Sequence, residues 1–174
     1  MLILVSGGAA SGKSEYAEGL IVKSGLTKRT YIATMQIFDA EDERRAAKHR
    51  AMRAGKHFDT LECPRDLLHA PLPKGGAVLL ECMSNLAANE FFGGEGREGV
   101  AKRILSGMER LCEEAEFAVV VTNELFSDGI RYDDETEAYL AVLAAVNRSL
   151  AEKADAVVEV TAGIPVIWKG REIL

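Results

Sequence analysis

The chain has 174 residues and fits one domain, 1–174, which is long enough to bury a core without disulfides or metal. With 48% apolar and 28% charged residues, its composition is that of a soluble globular protein and not of a disordered or fibrous one. The net charge of -6 argues against a general nucleic-acid binder, because neutralising a phosphate backbone needs a basic surface.

Short apolar runs alternate with helix-length segments from the N-terminus onwards. The predicted strands are 2–6, 30–34, 77–82, 117–122, 156–161 and 165–169. The predicted helices are 13–24, 40–54, roughly 97–115 and 134–153, with surface loops at 69–76 and 91–99. Because the strands are apolar on both faces, they favour an α/β fold in which helices cover both faces of a mostly parallel sheet.

The cysteines and the lack of a long apolar segment bear on where the protein works. Cys63, Cys82 and Cys112 have no CxxC spacing, so neither a disulfide framework nor a zinc site is predicted. The apolar N-terminus lacks a basic flank and breaks at Gly7, unlike a signal peptide. No later segment approaches the roughly 20 apolar residues of a membrane helix. We therefore expect a cytoplasmic protein that does not insert into membranes.

The segment "GGAASGKS", residues 7–14, matches the phosphate-loop pattern G-x-x-x-x-G-K-[ST] between a predicted strand and a predicted helix. Its glycines let backbone N–H groups surround an anion, and the helix N-terminus adds a favourable dipole. Lys13 would reach the β- and γ-phosphates, and the Ser14 hydroxyl would hold Mg²⁺. The alternative is an ordinary glycine turn. The predicted nucleotide contacts, for GTP or ATP, are Gly7, Gly8, Ala9, Ala10, Ser11, Gly12, Lys13 and Ser14.

Polar residues end two other predicted strands. Glu81 closes "AVLLE", where a carboxylate can bind Mg²⁺ directly or through water; the alternative is a polar residue that merely ends a strand. Thr122, Asn123 and Glu124 close "VVVTNE", at the edge where open α/β sheets bind ligands. The alternative for Asn123 is capping of the following turn.

A charged helix is predicted over residues 39–53. In it Glu41, Arg45, His49 and Arg53 follow one another at i, i+4 spacing and form one row. A neutral imidazole is nucleophilic and could attack a nucleotide phosphorus, giving a nucleotidyl-histidine, while the flanking guanidiniums stabilise the phosphoryl charge. The alternative is a solvated ladder of ion pairs.

Several segments also match one known family in their order along the chain. They are "LILVSGGAASGKSEYAE", "YIAT" followed by "DAE" and "RRAAKHR", "LLEC" with a downstream Asn89, "VVVTNE", and "VNRSLAEKADAVVEVTAGIP" with a late "K". Together they resemble the bifunctional adenosylcobinamide kinase / adenosylcobinamide-phosphate guanylyltransferase family of cobalamin biosynthesis. The combination spans nearly the whole chain and is much more specific than the phosphate loop alone.

The resemblance implies a P-loop NTPase fold of the RecA-like kind, a homotrimer and two reactions on a corrinoid substrate. One reaction phosphorylates the hydroxyl of adenosylcobinamide; the other transfers GMP from GTP to that phosphate through a guanylylated histidine. With the phosphate-loop reasoning above, the predicted catalytic residues are Lys13 and His49, and the predicted metal ligands are Ser14 and Glu81. The predicted nucleotide contacts beyond the phosphate loop are Ala33, Thr34, Met35, Arg45, Arg50, Arg53, Glu62 and Glu81.

The chain departs from the family pattern at three places, one of which is Asn147-Arg148, where the family has "NQ". After the histidine, the family tends to have Arg-Pro and then Trp, whereas this chain has Arg53-Ala54 and, one residue late, Phe58. After "VTNE", a longer "LFSDGIRY" replaces a glycine-rich segment. Two alternatives therefore stand beside the bifunctional enzyme. One is a P-loop small-molecule kinase without the transferase step. The other is a nucleotide-dependent switch or binding protein, suggested by the loop 91–99.

Overall fold

A seven-stranded sheet with the order β3-β2-β4-β5-β1-β6-β7 forms the centre of this computed structural model. The structure describes residues 1–93 and 96–173, without the side chains of Arg45, Lys48, His49 and Met52. The strands are β1 Leu2–Gly7, β2 Arg29–Ala33, β3 Phe58–Glu62, β4 Ala77–Glu81, β5 Phe117–Asn123, β6 Ala156–Thr161 and β7 Ile164–Lys169. All neighbours pair in parallel except β7, which is antiparallel to β6.

Helices cover both faces of the sheet, as predicted. They are α1 Lys13–Lys23, α2 Ala40–Arg53, α3 Met83–Gly93, α4 Val100–Glu114 and α5 Asp134–Lys153, followed by a short 3₁₀ turn at Arg171–Ile173. Successive side chains of β1 alternate between the two layers: Leu2 and Leu4 pack with α3, α4 and α5, while Ile3 and Val5 pack with α1. No helix in the described ranges is long and apolar enough to cross a membrane.

Two elements were missed by the sequence analysis. Strand β3 lies at the sheet edge and has no buried residue, so its apolar pattern is weak. Helix α3 begins directly after β4 and includes residues 91–93 of the segment predicted as a loop. There Phe91 is buried, and its ring lies 6.2 Å from that of Tyr139. This packing explains why the helix extends past residue 91, where the loop was predicted to begin. Residues 94–95 of that predicted loop lie outside the described residues.

Candidate active site at the carboxyl edge of the sheet

A cleft of about 810 Å³ opens where β1, β2, β4 and β5 end. Parallel strands bring their carboxyl ends to one edge, so residues distant in sequence meet there. Of the predicted site residues, the cleft is lined by Ala9, Ala10, Ser11, Gly12, Lys13, Ser14, Ala33, Met35, Arg50, Arg53, Glu62 and Glu81. Asn123, which the sequence places at this edge, also lines the cleft, and so do Tyr31, Lys56, Cys82 and Asn85, which were not predicted.

The phosphate loop is held against the hairpin formed by β6 and β7. A Cβ on Gly7 would lie 2.5 Å from the Val160 carbonyl oxygen, so only glycine permits this approach. Gly12 adopts φ 91°, in the left-handed region, at the start of α1. The Gly163 amide, at the tip of the hairpin, donates to the Ser11 carbonyl at 2.8 Å. The loop therefore has a fixed shape set by a close backbone approach on one side and a hydrogen bond on the other.

Lys13 is the cation of this loop. Its side chain folds back so that Nζ donates to the Gly8 carbonyl at 2.9 Å, and the residue is only 8% exposed. Burial lowers the pKa of Lys13, while the nearby Cys82 and Glu81 act in the opposite direction. A partly desolvated ammonium gains more from an incoming anion than an exposed one does, which suits triphosphate binding.

Ser14 and Glu81 both line the cleft and are joined by a hydrogen bond. The Ser14 hydroxyl donates to a carboxylate oxygen of Glu81, which is 8% exposed at the end of β4. A hydroxyl and a carboxylate are the oxygen ligands that Mg²⁺ takes beside nucleotide phosphates. The described residues contain no group of three or more His, Cys, Asp or Glu side chains that could hold a metal by themselves. The pair therefore fits an ion that is shared with a bound triphosphate.

Thr34 is buried beneath the cleft, between its two lining neighbours Ala33 and Met35. Its hydroxyl donates to the Cys82 carbonyl at 2.8 Å and accepts from the Cys82 amide at 2.7 Å. The Asn89 amide donates to the Thr34 carbonyl at 2.8 Å. In the structure, Thr34 thus ties the end of β2 to the end of β4 and does not face the cleft.

A buried cluster of charged and aromatic side chains forms the other wall. Arg53 is 7% exposed, and its guanidinium carbon lies 3.4 Å above the centre of the Tyr31 ring. Nη1 of Arg53 has no hydrogen-bond partner in the described part of the chain. Beside it, Lys56 Nζ lies 2.5 Å from Oε2 of Glu18, a carboxylate with 0% exposure. Burial raises the pKa of Tyr31, so its hydroxyl stays protonated.

The sequence analysis did not predict the Glu18–Lys56 pair, although one signal was available. Glu18 lies between Ala17 and Ile21 on the buried face of α1, where a carboxylate needs a partner. Its partner could not be identified, because Lys56 lies in the turn after α2 and 38 residues away. The two segments meet only in the folded chain.

Helix α2 contributes one face to the cleft. Ala46, Arg50 and Arg53 line it, and Arg50 pairs with Glu43 at 2.9 Å. The predicted helix is confirmed, whereas the side chains of Arg45 and His49 lie outside the described residues. The other two histidines, His57 and His69, are exposed.

Comparison with solved structures supports the predicted fold. A KaiC-like protein from Pyrococcus horikoshii OT3 superposes with a TM-score of 0.52 at 15% identity, over 98% of this chain and 79% of the other. A solved ATPase domain gives a TM-score of 0.52 at 11% identity, over 91% of this chain and 68% of the other. At such identities the likeness concerns the fold alone, and it confirms the predicted P-loop NTPase fold of the RecA-like kind.

Sequence comparison shows closer relatives. The family model described as cobinamide kinase / cobinamide phosphate guanyltransferase matches residues 3–167. The bifunctional adenosylcobalamin biosynthesis protein CobU of Salmonella typhimurium is 35% identical, over 95% of this chain and 98% of the relative. The corresponding protein CobP of Pseudomonas aeruginosa is 32% identical over 98% of both chains. The chain therefore belongs to the cobinamide kinase / cobinamide phosphate guanyltransferase family, as the order of its motifs had predicted.

Proposed function

We propose that this protein is a cytoplasmic enzyme of cobalamin biosynthesis that phosphorylates adenosylcobinamide and then transfers GMP from GTP to the new phosphate. One observation carries the proposal: the phosphate loop and one face of α2 line the same cleft. Ala46, Arg50 and Arg53 line it from α2. Residues 46, 49, 50 and 53 are spaced i, i+3, i+4 and i+7, so position 49 belongs to the same face of α2.

The phosphoryl-transfer step uses the loop side of the cleft. Lys13 and the loop N–H groups would bind the β- and γ-phosphates of the nucleoside triphosphate, as in other phosphate loops. Ser14 and Glu81 would hold Mg²⁺, which neutralises charge that develops between the phosphates. The corrinoid hydroxyl forms the new bond to the γ-phosphorus, and the nucleoside diphosphate leaves.

The guanylyl-transfer step uses the α2 side. The neutral imidazole of His49 attacks the α-phosphorus of GTP, pyrophosphate leaves and a phosphorus–nitrogen bond holds GMP on the ring. A phosphate oxygen of adenosylcobinamide phosphate then displaces the imidazole and carries the GMP away. Arg50 and Arg53 line the cleft close to this step, and Arg45 belongs to the same predicted row. Guanidiniums there would offset the charge on the transferring group.

The test is retention of labelled nucleotide by the protein. Wild-type protein with Mg²⁺ and GTP labelled at the α-phosphate should keep the label after denaturation, whereas GTP labelled at the γ-phosphate should leave none. His49→Ala should lose the α-label, and His69→Ala, which removes an exposed histidine, should retain it. A wild-type protein that takes up no α-label would refute the guanylylated-histidine mechanism.

A kinase without the transferase step is the second candidate, favoured by the changed residues after His49. Arg53 is followed here by Ala54, and the aromatic Phe58 comes one residue late. Incubation of wild-type protein with adenosylcobinamide, ATP and GTP separates the candidates. Formation of the phosphorylated corrinoid without the GDP-linked product would select the kinase alone.

We also propose that the protein assembles as a homotrimer. Strand β7 presents a row of apolar side chains on one face of an edge strand, with Ile164 67%, Val166 40% and Trp168 69% exposed. Such a row is typical of a surface that another chain covers. Sedimentation equilibrium should give three times the 18.9 kDa mass of the chain. Trp168→Glu should lower that mass, and Phe92→Glu, at another exposed aromatic residue, should not.

A further inference from the structure

Asn123 lies at a central position of the cleft and has no role in either reaction described above. It is the last residue of β5, the strand between β1 and β4. It pairs in register with Gly7, and the next amide, of Glu124, donates to the Gly7 carbonyl at 3.0 Å. On the other side, β5 pairs Val121 with Glu81. The side chain therefore lines the cleft between the phosphate loop and the acidic strand end.

The carboxamide of Asn123 is held from behind. Its Nδ2 donates to Ser84 Oγ at 2.7 Å, and Ser84 is 3% exposed. The Ser84 carbonyl accepts from the Tyr139 hydroxyl at 3.1 Å, and Ser84 Oγ lies 3.1 Å from Cys82 Sγ. The contacts of Asn123 with Ser84 and Cys82 both involve its amide nitrogen Nδ2. The carboxamide oxygen of Asn123 makes no hydrogen bond within the described part of the chain, so it is available to accept one. A preoriented acceptor therefore stands at the triphosphate end of the cleft.

We propose that Asn123 is a further catalytic residue of phosphoryl transfer, and that Ser84 positions it. This inference rests on the proposed kinase function. The Asn123 oxygen accepts a hydrogen bond from the attacking hydroxyl of the corrinoid and aligns that hydroxyl with the γ-phosphorus. The new oxygen–phosphorus bond forms as the bond to the β-phosphate oxygen breaks. The hydroxyl proton ends on the transferred phosphoryl group, because a carboxamide orients a proton without removing it.

The variant Asn123→Ala tests this role. It should lower kcat for adenosylcobinamide phosphorylation by about 100-fold, since loss of alignment costs on that order. The Kd of a fluorescent GTP analogue should stay within about 2-fold, because the loop and Lys13 still hold the phosphates. Retention of the α-label from GTP should stay within about 3-fold, because that chemistry takes place at the α-phosphorus.

Ser84→Ala tests the positioning role. It should lower kcat by about 10-fold with KM unchanged, because the carboxamide is still present but no longer fixed. The matched control is Asn147→Ala. Asn147 accepts from Thr122, the preceding residue of β5, at 3.0 Å, but it does not line the cleft. This control should keep kcat within about 2-fold.

The outcomes separate this inference from the proposed function on which it rests. If wild-type protein phosphorylates no corrinoid, the proposed function fails. If wild-type protein is active and Asn123→Ala keeps kcat within about 3-fold, the role of Asn123 is overturned. It is also overturned if Asn147→Ala loses as much activity, because the loss would then reflect the stability of β5 and not an interaction in the cleft.

Discussion

The two helices that flank the cleft are held to the rest of the molecule in opposite ways. Helix α1 buries Ala17, Leu20 and Ile21 against the sheet, so the phosphate loop at its N-terminus is part of the core. No described side chain of α2 joins either core cluster, and its one buried described residue is Arg53 at the C-terminal end. The phosphate site is therefore preorganised, while the described contacts that tie the histidine helix to the core are polar ones near its C-terminal end.

This difference matters for a bifunctional enzyme. A phosphate loop built into the core keeps one geometry for every triphosphate it binds. A helix tied by the stacking of Arg53 on Tyr31 and by the Lys56–Glu18 pair can shift without opening the core. We expect such a shift to let one histidine serve first the α-phosphorus of GTP and then the corrinoid phosphate.

The largest expected effect is on the rigid side, at Lys13. Lys13→Met should lower both phosphorylation and α-label retention by about 1,000-fold, because both need the triphosphate clamp. The free energy of unfolding should rise slightly. Burial lowers the pKa of Lys13, so the folded state disfavours its protonated form below that pKa, and methionine removes this cost. Lys23→Ala, at the exposed end of α1, is the control and should change neither rate.

That pKa shift also predicts a pH dependence. Burial lowers the pKa of Lys13, and a bound triphosphate would raise it again by favouring the ammonium. Nucleotide affinity should therefore fall as the pH rises through the lowered pKa, by up to about 10-fold per unit. Binding of a fluorescent GTP analogue across alkaline pH, compared between wild type and Lys13→Met, measures this. A slope that persists in Lys13→Met would assign the titration to another group.

How much of the contrast between α1 and α2 could be predicted from the sequence depended on how far apart the interacting residues lie along the chain. The phosphate loop was predictable because its glycines, lysine and flanking elements are contiguous. The position of Glu81 followed from the rule that parallel strands end at one edge. The attachment of α2 was not predictable, because Tyr31, Arg53, Lys56 and Glu18 meet only in the folded chain. Strand β3 was missed for a related reason, since an edge strand has little apolar pattern.

The next effect concerns the ion pair that ties the turn after α2 to α1. Lys56→Met should lower the free energy of unfolding by about 3 kcal/mol, because it leaves the fully buried Glu18 carboxylate without its cation. Glu18→Gln should cost less, because the Lys56 side chain is 32% exposed and its ammonium can turn to water. Urea unfolding of both variants measures the order. A larger loss of unfolding free energy in Glu18→Gln would show that Glu18 stabilises the fold mainly through contacts other than its pair with Lys56.

The smallest expected effect compares two helix caps. Asp133 caps α5 by accepting from the Thr136 amide at 2.9 Å, and Asp39 caps α2 by accepting from the Glu41 and Asp42 amides at 2.8 and 2.9 Å. Because α5 packs into the core, Asp133→Ala should lower the melting temperature by about 2–4 °C. Asp39→Ala should leave it nearly unchanged, because α2 can fray without opening the core.

The Asp39 variant should instead show its effect locally. Amide exchange within α2 should become several-fold faster. The rate at which the protein acquires the α-label should fall by a similar factor, because both rates depend on the fraction of α2 that is formed. Exchange within α1 should not change, since its cap and core contacts are untouched. Equal drops in melting temperature for Asp39→Ala and Asp133→Ala would contradict the comparison. They would mean that α2 unfolds together with the core and that both sides of the cleft share one stability.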